Sequence, residues 1–142
     1  MKKTLLGAFG ALLMLTGCAS DATKCEAFKE VFKQNEVFFA TNQAVLSPES
    51  KEVLDKQIAW LKANPTKKII IQGYADPRGT EKYNMQLGQK RADAVKKYFV
   101  QSGISPDRVS VVSFGSTELA TTQNTAKGWA EDRRTVSVIV TE

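Results

Sequence analysis

The sequence predicts an α+β domain, a two-layer sandwich of order β-α-β-α-β-β with a mixed four-stranded sheet and its helices on one face. Short runs rich in β-branched residues indicate four strands. Two longer segments carry apolar residues at helical spacing. Two helices that pack on one face of such a sheet make a two-layer domain.

The first half of the domain predicts a strand, a helix and a second strand. The strand is "EVFFA", residues 36–40. The helix begins after Ser47, because serine is a good N-cap and Pro48 suits the first helical position, and it ends at Asn64 before a proline. The isoleucine run in "KKIIIQGY", residues 67–74, is typical of a buried strand.

The second half predicts a long helix and two more strands. The segment "ADPRGTEK" is a turn, and the helix runs from about Tyr83 to Gln101, where Gly103 stops it. The strands are "DRVSVVSFG" and "RRTVSVIVT", and the second is expected near the sheet's interior. An antiparallel arrangement of this final pair would make the sheet mixed. Residues 116–132, between them, are polar and threonine-rich and are predicted to form a loop.

The N-terminus has the pattern of an export signal. Two lysines precede an apolar run from Leu5 to Leu15, which is too short to span a membrane. The following "LTGC" resembles the lipobox of bacterial lipoproteins, which implies a diacylglycerol and an N-acyl group on Cys18. The alternative is an ordinary secretory signal followed by a chance cysteine. The predicted domains are a signal peptide (1–17), a lipid-anchored tether (18–34) and a folded domain (35–142).

The residues around Cys18 also predict location. Alanine rather than aspartate follows it, and by the rule for enteric lipoproteins this favours the outer membrane, with the domain facing the periplasm. If Cys18 carries lipid, Cys25 has no partner for an internal disulfide, so it is a free thiol or an intermolecular link. Residues 25–34 have helical spacing and could dock on the domain or stay loose.

The composition excludes several function classes. The chain has no histidine, which rules out Ser-His-Asp triads and histidine zinc sites, and we expect no cofactor and no metal. Removal of residues 1–17 takes away two lysines and lowers the formal charge from +5 to +3. A bias this weak on an exported chain does not argue for nucleic acid as a partner.

One residue of the long helix breaks its apolar pattern. Leu87, Arg91, Val95 and Phe99 follow one another at i+4, yet arginine is almost never buried without a partner. Taken alone, Arg91 could pair with an internal carboxylate or extend out of the stripe. Asp76, taken alone, is a turn residue, because Asp-Pro-Arg-Gly fits a type I turn.

The spacing in this helix resembles a known family. The pattern Asn84-x2-Leu87-Gly88-x2-Arg91-Ala92-x2-Val95-x3-Phe99 is similar to the peptidoglycan-association helix of OmpA-like domains. The segments "GYADPRGTEKYN", "VFFATNQ", "RVSVVSFG" and "EDRRTVSV" resemble those of peptidoglycan-associated lipoproteins, a branch of that family. The likeness covers about residues 36–140. It implies that peptidoglycan is the ligand and that the periplasmic Tol proteins, above all TolB, are partners competing for an overlapping surface.

The resemblance also implies a site. The ligand would be the side-chain end of meso-diaminopimelate, a free zwitterion in the stem peptide. Asp76 would take its ammonium, and Arg91 would take its carboxylate through a planar, two-pronged guanidinium, with both charges converging on one cavity. Asn84 and Leu87 would complete the pocket, although Asn84 could be only a helix cap and Leu87 is expected to be core as well.

Two positions depart from the family's pattern or are ambiguous within it. Many members have an aspartate after the first strand, where this chain has Asn42, which supplies no charge for an ammonium, so weaker binding is expected. Arg133, in Asp132-Arg133-Arg134, is placed in the site by resemblance. A buried acid–base pair at the sheet edge accounts for these three residues equally well.

The expected function is therefore a non-enzymatic outer-membrane lipoprotein that binds stem peptide and tethers the membrane to the cell wall, within the Tol system of envelope integrity and cell division. An enzyme is disfavoured because no nucleophile with an adjacent base and no carboxylate pair stands out. The alternative is an OmpA-like adaptor lipoprotein that docks periplasmic proteins without strong wall binding. Asn42 is its best support.

Overall fold

The computed structural model of the chain describes residues 22–140 and divides into two units, residues 1–33 and 34–142. In the first unit, residues 22–32 form helix α1, in which the rings of Phe28 and Phe32 lie 5.0 Å apart. The predicted signal peptide and Cys18 lie outside the described residues. In the described part of the chain, no helix has both the length and the apolar character needed to cross a membrane.

The second unit contains the α+β domain. Its elements are β1 (Glu36–Phe38), α2 (Pro48–Ala63), β2 (Ile69–Tyr74), α3 (Glu81–Gln101), a short 3-10 helix (Pro106–Arg108), β3 (Val109–Gly115), α4 (Ala126–Asp132) and β4 (Arg134–Ile139). The sheet order is β1-β4-β2-β3. Strand β4 is antiparallel to β1 and β2, while β2 and β3 are parallel. The predicted fold class, with a mixed four-stranded sheet, is confirmed.

Three details differ from the prediction. The final pair of strands is not hydrogen-bonded, because β3 and β4 lie on opposite sides of β2. Strand β4 is interior, as expected. The segment predicted as a loop contains α4, which begins after the N-cap Thr125, whose hydroxyl accepts a hydrogen bond from the Gly128 amide at 3.2 Å. The first strand is also shorter than predicted and ends at Phe38.

The N-caps fix where the two long helices begin. Ser47 Oγ accepts the Ser50 amide at 3.1 Å and starts α2 at the predicted residue. Thr80 Oγ1 accepts the Tyr83 amide at 3.1 Å and starts α3 at Glu81, two residues before the expected start. The cap of α3 is therefore Thr80, and Asn84 lies inside the helix.

Gly73 in β2 and Gly88 in α3 allow the backbones of these two elements to come into direct contact. A Cβ on Gly73 would overlap the carbonyl of Gly88, and a Cβ on Gly88 would lie 2.8 Å from the Gly73 oxygen. Side chains are excluded from this crossing. The close approach leaves Leu87, Arg91 and Val95 pressed into the protein, where Arg91 and Val95 have no exposed surface.

Candidate functional site

A pocket of about 240 Å³ opens where β1 and β2 end. Its walls are the loop between β1 and α2 and the loop that leads from β2 into α3. Eight residues line it: Thr41, Asn42, Asp76, Arg78, Gly79, Tyr83, Asn84 and Leu87. The structure therefore brings together four of the six residues assigned to the site from the sequence, namely Asn42, Asp76, Asn84 and Leu87.

Asp76 is a buried carboxylate at the floor of this pocket. It is only 7% exposed, and its two oxygens accept hydrogen bonds from Arg78: Oδ1 from the backbone amide and from Nε, each at 3.1 Å, and Oδ2 from Nη2 at 2.8 Å. Nη1 of Arg133 lies 3.5 Å from Oδ2. The amide bond from Arg78 makes Asp76 the head of an Asx turn, so its turn role and its charge are both in use.

The pKa of the Asp76 carboxyl reflects this setting. Burial raises the pKa, but the side-chain and backbone hydrogen bonds from Arg78, its positive charge and the bond from Arg133 lower it by more. The net pKa lies below the ordinary value of an aspartate. Asp76 is therefore fully charged at neutral pH.

Arg91 can lie in the apolar stripe of α3 because its hydrogen-bond partners are backbone carbonyls. The side chain has no exposed surface, and it donates from Nε to Gln43 O at 2.8 Å, from Nη1 to Tyr74 O at 2.9 Å and from Nη2 to Ala40 O at 3.0 Å. The guanidinium also lies 5.4 Å from the centre of the Phe39 ring. Three carbonyls arranged around a planar fork suit arginine and no other side chain.

These hydrogen bonds connect Arg91 to both walls of the pocket. Ala40 to Gln43 form a turn closed by a 3.1 Å bond from the Gln43 amide to Ala40 O, with Asn42 at a φ of 58°. Arg91 holds the carbonyls at both ends of that turn. Its third bond holds Tyr74 at the end of β2, two residues before Asp76. The spacing between the two walls therefore depends on one buried side chain.

The expectation that Arg91 and Asp76 both face the cavity is wrong for Arg91. It lies behind the pocket wall and does not line the cavity. Burial lowers the pKa of its guanidinium, and the nearby positive charge of Arg133 lowers it further, to about 10, although Asp76 acts in the opposite direction. Arg91 is still protonated at neutral pH and contributes a positive field to the pocket.

The remaining lining residues bridge the two walls. Asn42 Oδ1 accepts the Tyr83 hydroxyl at 3.2 Å, across the pocket mouth. Asn84 is 2% exposed and donates through Nδ2 to Arg78 O at 3.0 Å, which ties the loop before α3 to the helix. Leu87 is 7% exposed and belongs to both the core and the pocket, as expected.

The Asp132-Arg133-Arg134 segment separates into three different roles. Arg133 donates through Nε to Phe39 O at 2.8 Å and approaches Asp76, so it lies beside the pocket without lining it. Asp132 is buried and accepts the Ala120 amide at 2.8 Å. Arg134 lies 3.6 Å from a Glu36 oxygen. The two arginines therefore pair with acids outside this segment, Arg133 with Asp76 and Arg134 with Glu36.

Four lining residues were not assigned to the site from the sequence: Thr41, Arg78, Gly79 and Tyr83. Arg78 is the charged one among them. It was part of the loop motif, but no role was assigned to it. Its guanidinium carbon lies 4.2 Å from the centre of the Trp129 ring, and its Nη2 lies 3.5 Å from Thr41 Oγ1. The Asp-x-Arg spacing around a proline was the available signal, because an Asx turn brings residues i and i+2 together.

Comparisons with known proteins place the pocket in a shared region. The model of the OmpA family matches residues 38–133, which include every residue that lines the pocket. The chain is similar to the peptidoglycan-associated lipoprotein of Pasteurella multocida, with 34% identity over 146 residues and 96% of each chain covered. It is 39% identical over 97 residues to the peptidoglycan-associated lipoprotein of Pseudomonas putida, covering 68% of this chain and 58% of that one.

Solved structures agree with the fold. The crystal structure of the peptidoglycan-associated lipoprotein from Burkholderia pseudomallei superposes with a TM-score of 0.75 and 30% identity, covering 78% of this chain and 93% of that chain. The C-terminal domain of Helicobacter pylori MotB gives a TM-score of 0.69 at 18% identity, over 75% of this chain and 84% of that one. The second likeness concerns the fold alone.

Proposed function

The chain belongs to the OmpA family and groups with the peptidoglycan-associated lipoproteins, and from that premise we propose that it binds the stem peptide of peptidoglycan in the pocket above Asp76. Binding is non-covalent and tethers the outer membrane to the cell wall. The observation that carries the proposal is a pocket lined by a buried, charged carboxylate and surrounded by arginines, inside the region that matches the family.

The charges around the pocket suit the side-chain end of meso-diaminopimelate. Asp76 is the acceptor for its ammonium. Arg78, Arg91 and Arg133 surround this single carboxylate, so the pocket has a surplus of positive charge that favours a ligand carboxylate. Arg91 acts on the ligand through its field and through the wall geometry, and Arg133 is the less exposed of the two arginines in contact with Asp76.

The neutral lining residues complete the proposed site. Asn84 and Leu87 form the wall contributed by α3, and Asn42 lies at the lip on the opposite side. Because Asn42 is an amide, the ammonium meets one carboxylate and one neutral acceptor. This lowers the expected affinity, and it is the observation that favours the second candidate function, an adaptor that docks periplasmic proteins without strong wall binding.

The sequence before the domain supports lipid anchoring in the outer membrane. Acylation of Cys18 would provide more than one acyl chain, which is the requirement for stable anchoring. Residues 18–34 would then be the tether and residues 35–142 the periplasmic domain. Within the Tol system, TolB would compete with the wall for the pocket face, so a TolB-bound and a wall-bound state would alternate.

Co-sedimentation with purified, diaminopimelate-containing sacculi tests wall binding. The full-length chain in detergent micelles is compared with its Asp76→Ala and Asp76→Asn variants. Loss of one charge-assisted ion pair predicts an affinity that is lower by about tenfold or more. Asp107→Ala is the matched control, because Asp107 is an exposed aspartate before β3, outside the pocket lining. Equal sedimentation of all four proteins, or none for wild type, would refute the proposal.

Membrane fractionation with radiolabelled palmitate tests the anchor. We expect label and outer-membrane location for the wild-type chain, and neither for Cys18→Ser. Cys25→Ser is the control, because Cys25 is the exposed cysteine of the described residues and is not needed for acylation. Label that depends on Cys25, or that survives in Cys18→Ser, would contradict the assignment.

A further inference from the structure

Arg78 forms an ion pair with Asp76, the carboxylate that the proposed ligand needs for its ammonium. Its Nε and Nη2 contact both oxygens of Asp76 at 3.1 and 2.8 Å, which is a two-pronged ion pair. An incoming ammonium would have to share Asp76 with this guanidinium or replace it. The same Nη2 reaches toward Thr41 Oγ1 on the opposite wall, so Arg78 also crosses the pocket mouth.

The two arginines beside Asp76 are held very differently. Arg133 has a side chain 15% exposed, lies 3.5 Å from Asp76 and is fixed by a 2.8 Å bond to Phe39 O. Arg78 has a side chain 42% exposed, and its polar contacts are Asp76 and the long one to Thr41. Water competes for the guanidinium of Arg78, which is the open end of this ion pair, whereas the Asp76 end is buried. Arg78 is therefore the arginine that can leave.

The indole of Trp129 also contacts Arg78 and therefore reports its position. The guanidinium already lies over the indole ring at 4.2 Å, a cation–π contact that does not need Asp76. A rotation of the outer side-chain torsions would release the carboxylate and also move the guanidinium off part of the indole. No backbone movement is required, because the Asx bond from the Arg78 amide also holds Asp76.

We propose that Arg78 is a gating residue: it neutralises Asp76 in the empty pocket, and it must be displaced by the ammonium of the ligand before the ligand can bind. This inference rests on the proposed function. Ligand binding then exchanges one ion pair for another, and the ligand gains only the difference between them. Arg78 thus lowers affinity and makes a free ammonium a requirement for entry.

The test uses a disaccharide tripeptide that ends in meso-diaminopimelate and the same compound with its side-chain ammonium acetylated. The full-length chain in detergent micelles carries Trp60→Phe, so that Trp129 is its remaining tryptophan. We expect Arg78→Ala to bind the free-ammonium compound about twofold to fivefold more tightly, the size expected for an ion pair whose arginine is open to water. Lys56→Gln, which removes an exposed positive charge on α2, should leave the affinity unchanged.

Trp129 fluorescence reports the movement itself. Adding the free-ammonium compound should shift the emission to longer wavelength, because the indole loses part of its cover. In Arg78→Ala the emission should already be shifted without ligand, and the acetylated compound should shift neither protein. Melting temperatures of all variants, compared with the parent chain, exclude a folding defect as the cause.

The outcomes separate the two proposals. Binding by the parent chain that weakens in Arg78→Ala would make Arg78 a ligand contact and would overturn the gate while leaving the proposed function intact. Equal affinity of the two proteins, without an emission shift, would also overturn the gate. Failure of both proteins to bind would refute the proposed function and the gate with it.

Discussion

Replacing Arg91 by alanine should remove a large part of the domain's free energy of unfolding. The substitution removes the donors of three carbonyls, those of Ala40, Gln43 and Tyr74. The bond to Tyr74 O is buried, and an unsatisfied buried acceptor costs about 1–3 kcal/mol. The bonds to Gln43 O and Ala40 O are partly buried, and Ala40 O keeps the Gln43 amide as a donor, so these two cost less. Together with the lost packing of the buried side chain, they predict a loss of about 3–5 kcal/mol. Single domains are stable by only about 5–15 kcal/mol, so this fraction is large.

Thermal unfolding followed by circular dichroism measures this loss. For a domain of this size, each kcal/mol corresponds to about 3–5 °C, so Arg91→Ala should melt at least about 10 °C below wild type. Arg91→Lys should show a smaller decrease, because an ammonium keeps the charge but cannot reach three carbonyls at once. A melting temperature of Arg91→Ala within about 2 °C of wild type would refute the supporting role of Arg91.

This prediction changes how a binding defect in Arg91→Ala is interpreted. If the two pocket walls depend on Arg91, its removal abolishes binding even when the guanidinium never touches the ligand. A loss of sacculus binding in that variant therefore does not identify a contact. Asp76 is the better probe, because it lines the pocket and Asp76→Asn preserves its shape.

Three further perturbations test the packing, the lip and the charge of the site. Gly88→Ala should destabilise the domain by about 1–3 kcal/mol in a thermal melt, since its Cβ would lie 2.8 Å from the Gly73 oxygen; a stabilised variant would contradict the close crossing, because alanine otherwise favours a helix. Asn42→Asp should tighten sacculus binding in co-sedimentation, because aspartate tolerates the φ of 58° and adds a charge for the ammonium; unchanged binding would place the ammonium elsewhere. Asp76, whose pKa is lowered in the folded state, contributes stability that is present above the ordinary carboxyl pKa of about 4 and is lost as the pH falls through its folded pKa, so the difference in melting temperature between wild type and Asp76→Asn should narrow progressively as the pH falls below about 4; a difference that stays constant on acidification would contradict this.

The elements with local signals could be predicted from the sequence. Ser47 and Pro48 marked the start of α2, and the isoleucine run marked β2. Helix α4 was missed because it has seven residues and no apolar stripe, and its N-cap Thr125 lies among other threonines. The pairing of strands was also out of reach, because the position of β4 between β1 and β2 depends on long-range contacts rather than on turn residues.

The sequence predicts those parts of the site that are formed by distinctive side chains. Asp76 and Asn84 were found and lie together in the pocket. The partners of Arg91 could not be found in the same way, because a backbone carbonyl belongs to every residue and leaves no trace in the residue types. The apolar stripe showed that Arg91 needed a partner, but only the fold brings those three carbonyls around it.

The buried charge of Arg91 links binding to stability. Its neighbours are carbonyls and the positive Arg133, and the two guanidinium groups repel each other enough to contribute to its lowered pKa. A ligand carboxylate in the pocket would reduce this repulsion, and Asp76 would keep its charge partner throughout, first Arg78 and then the ligand's ammonium. Binding should therefore raise the melting temperature with ligand concentration, as it does for any ligand that favours the folded state. The increase should be larger for meso-diaminopimelate than for its side-chain amide, because only the carboxylate acts on Arg91 and Arg133.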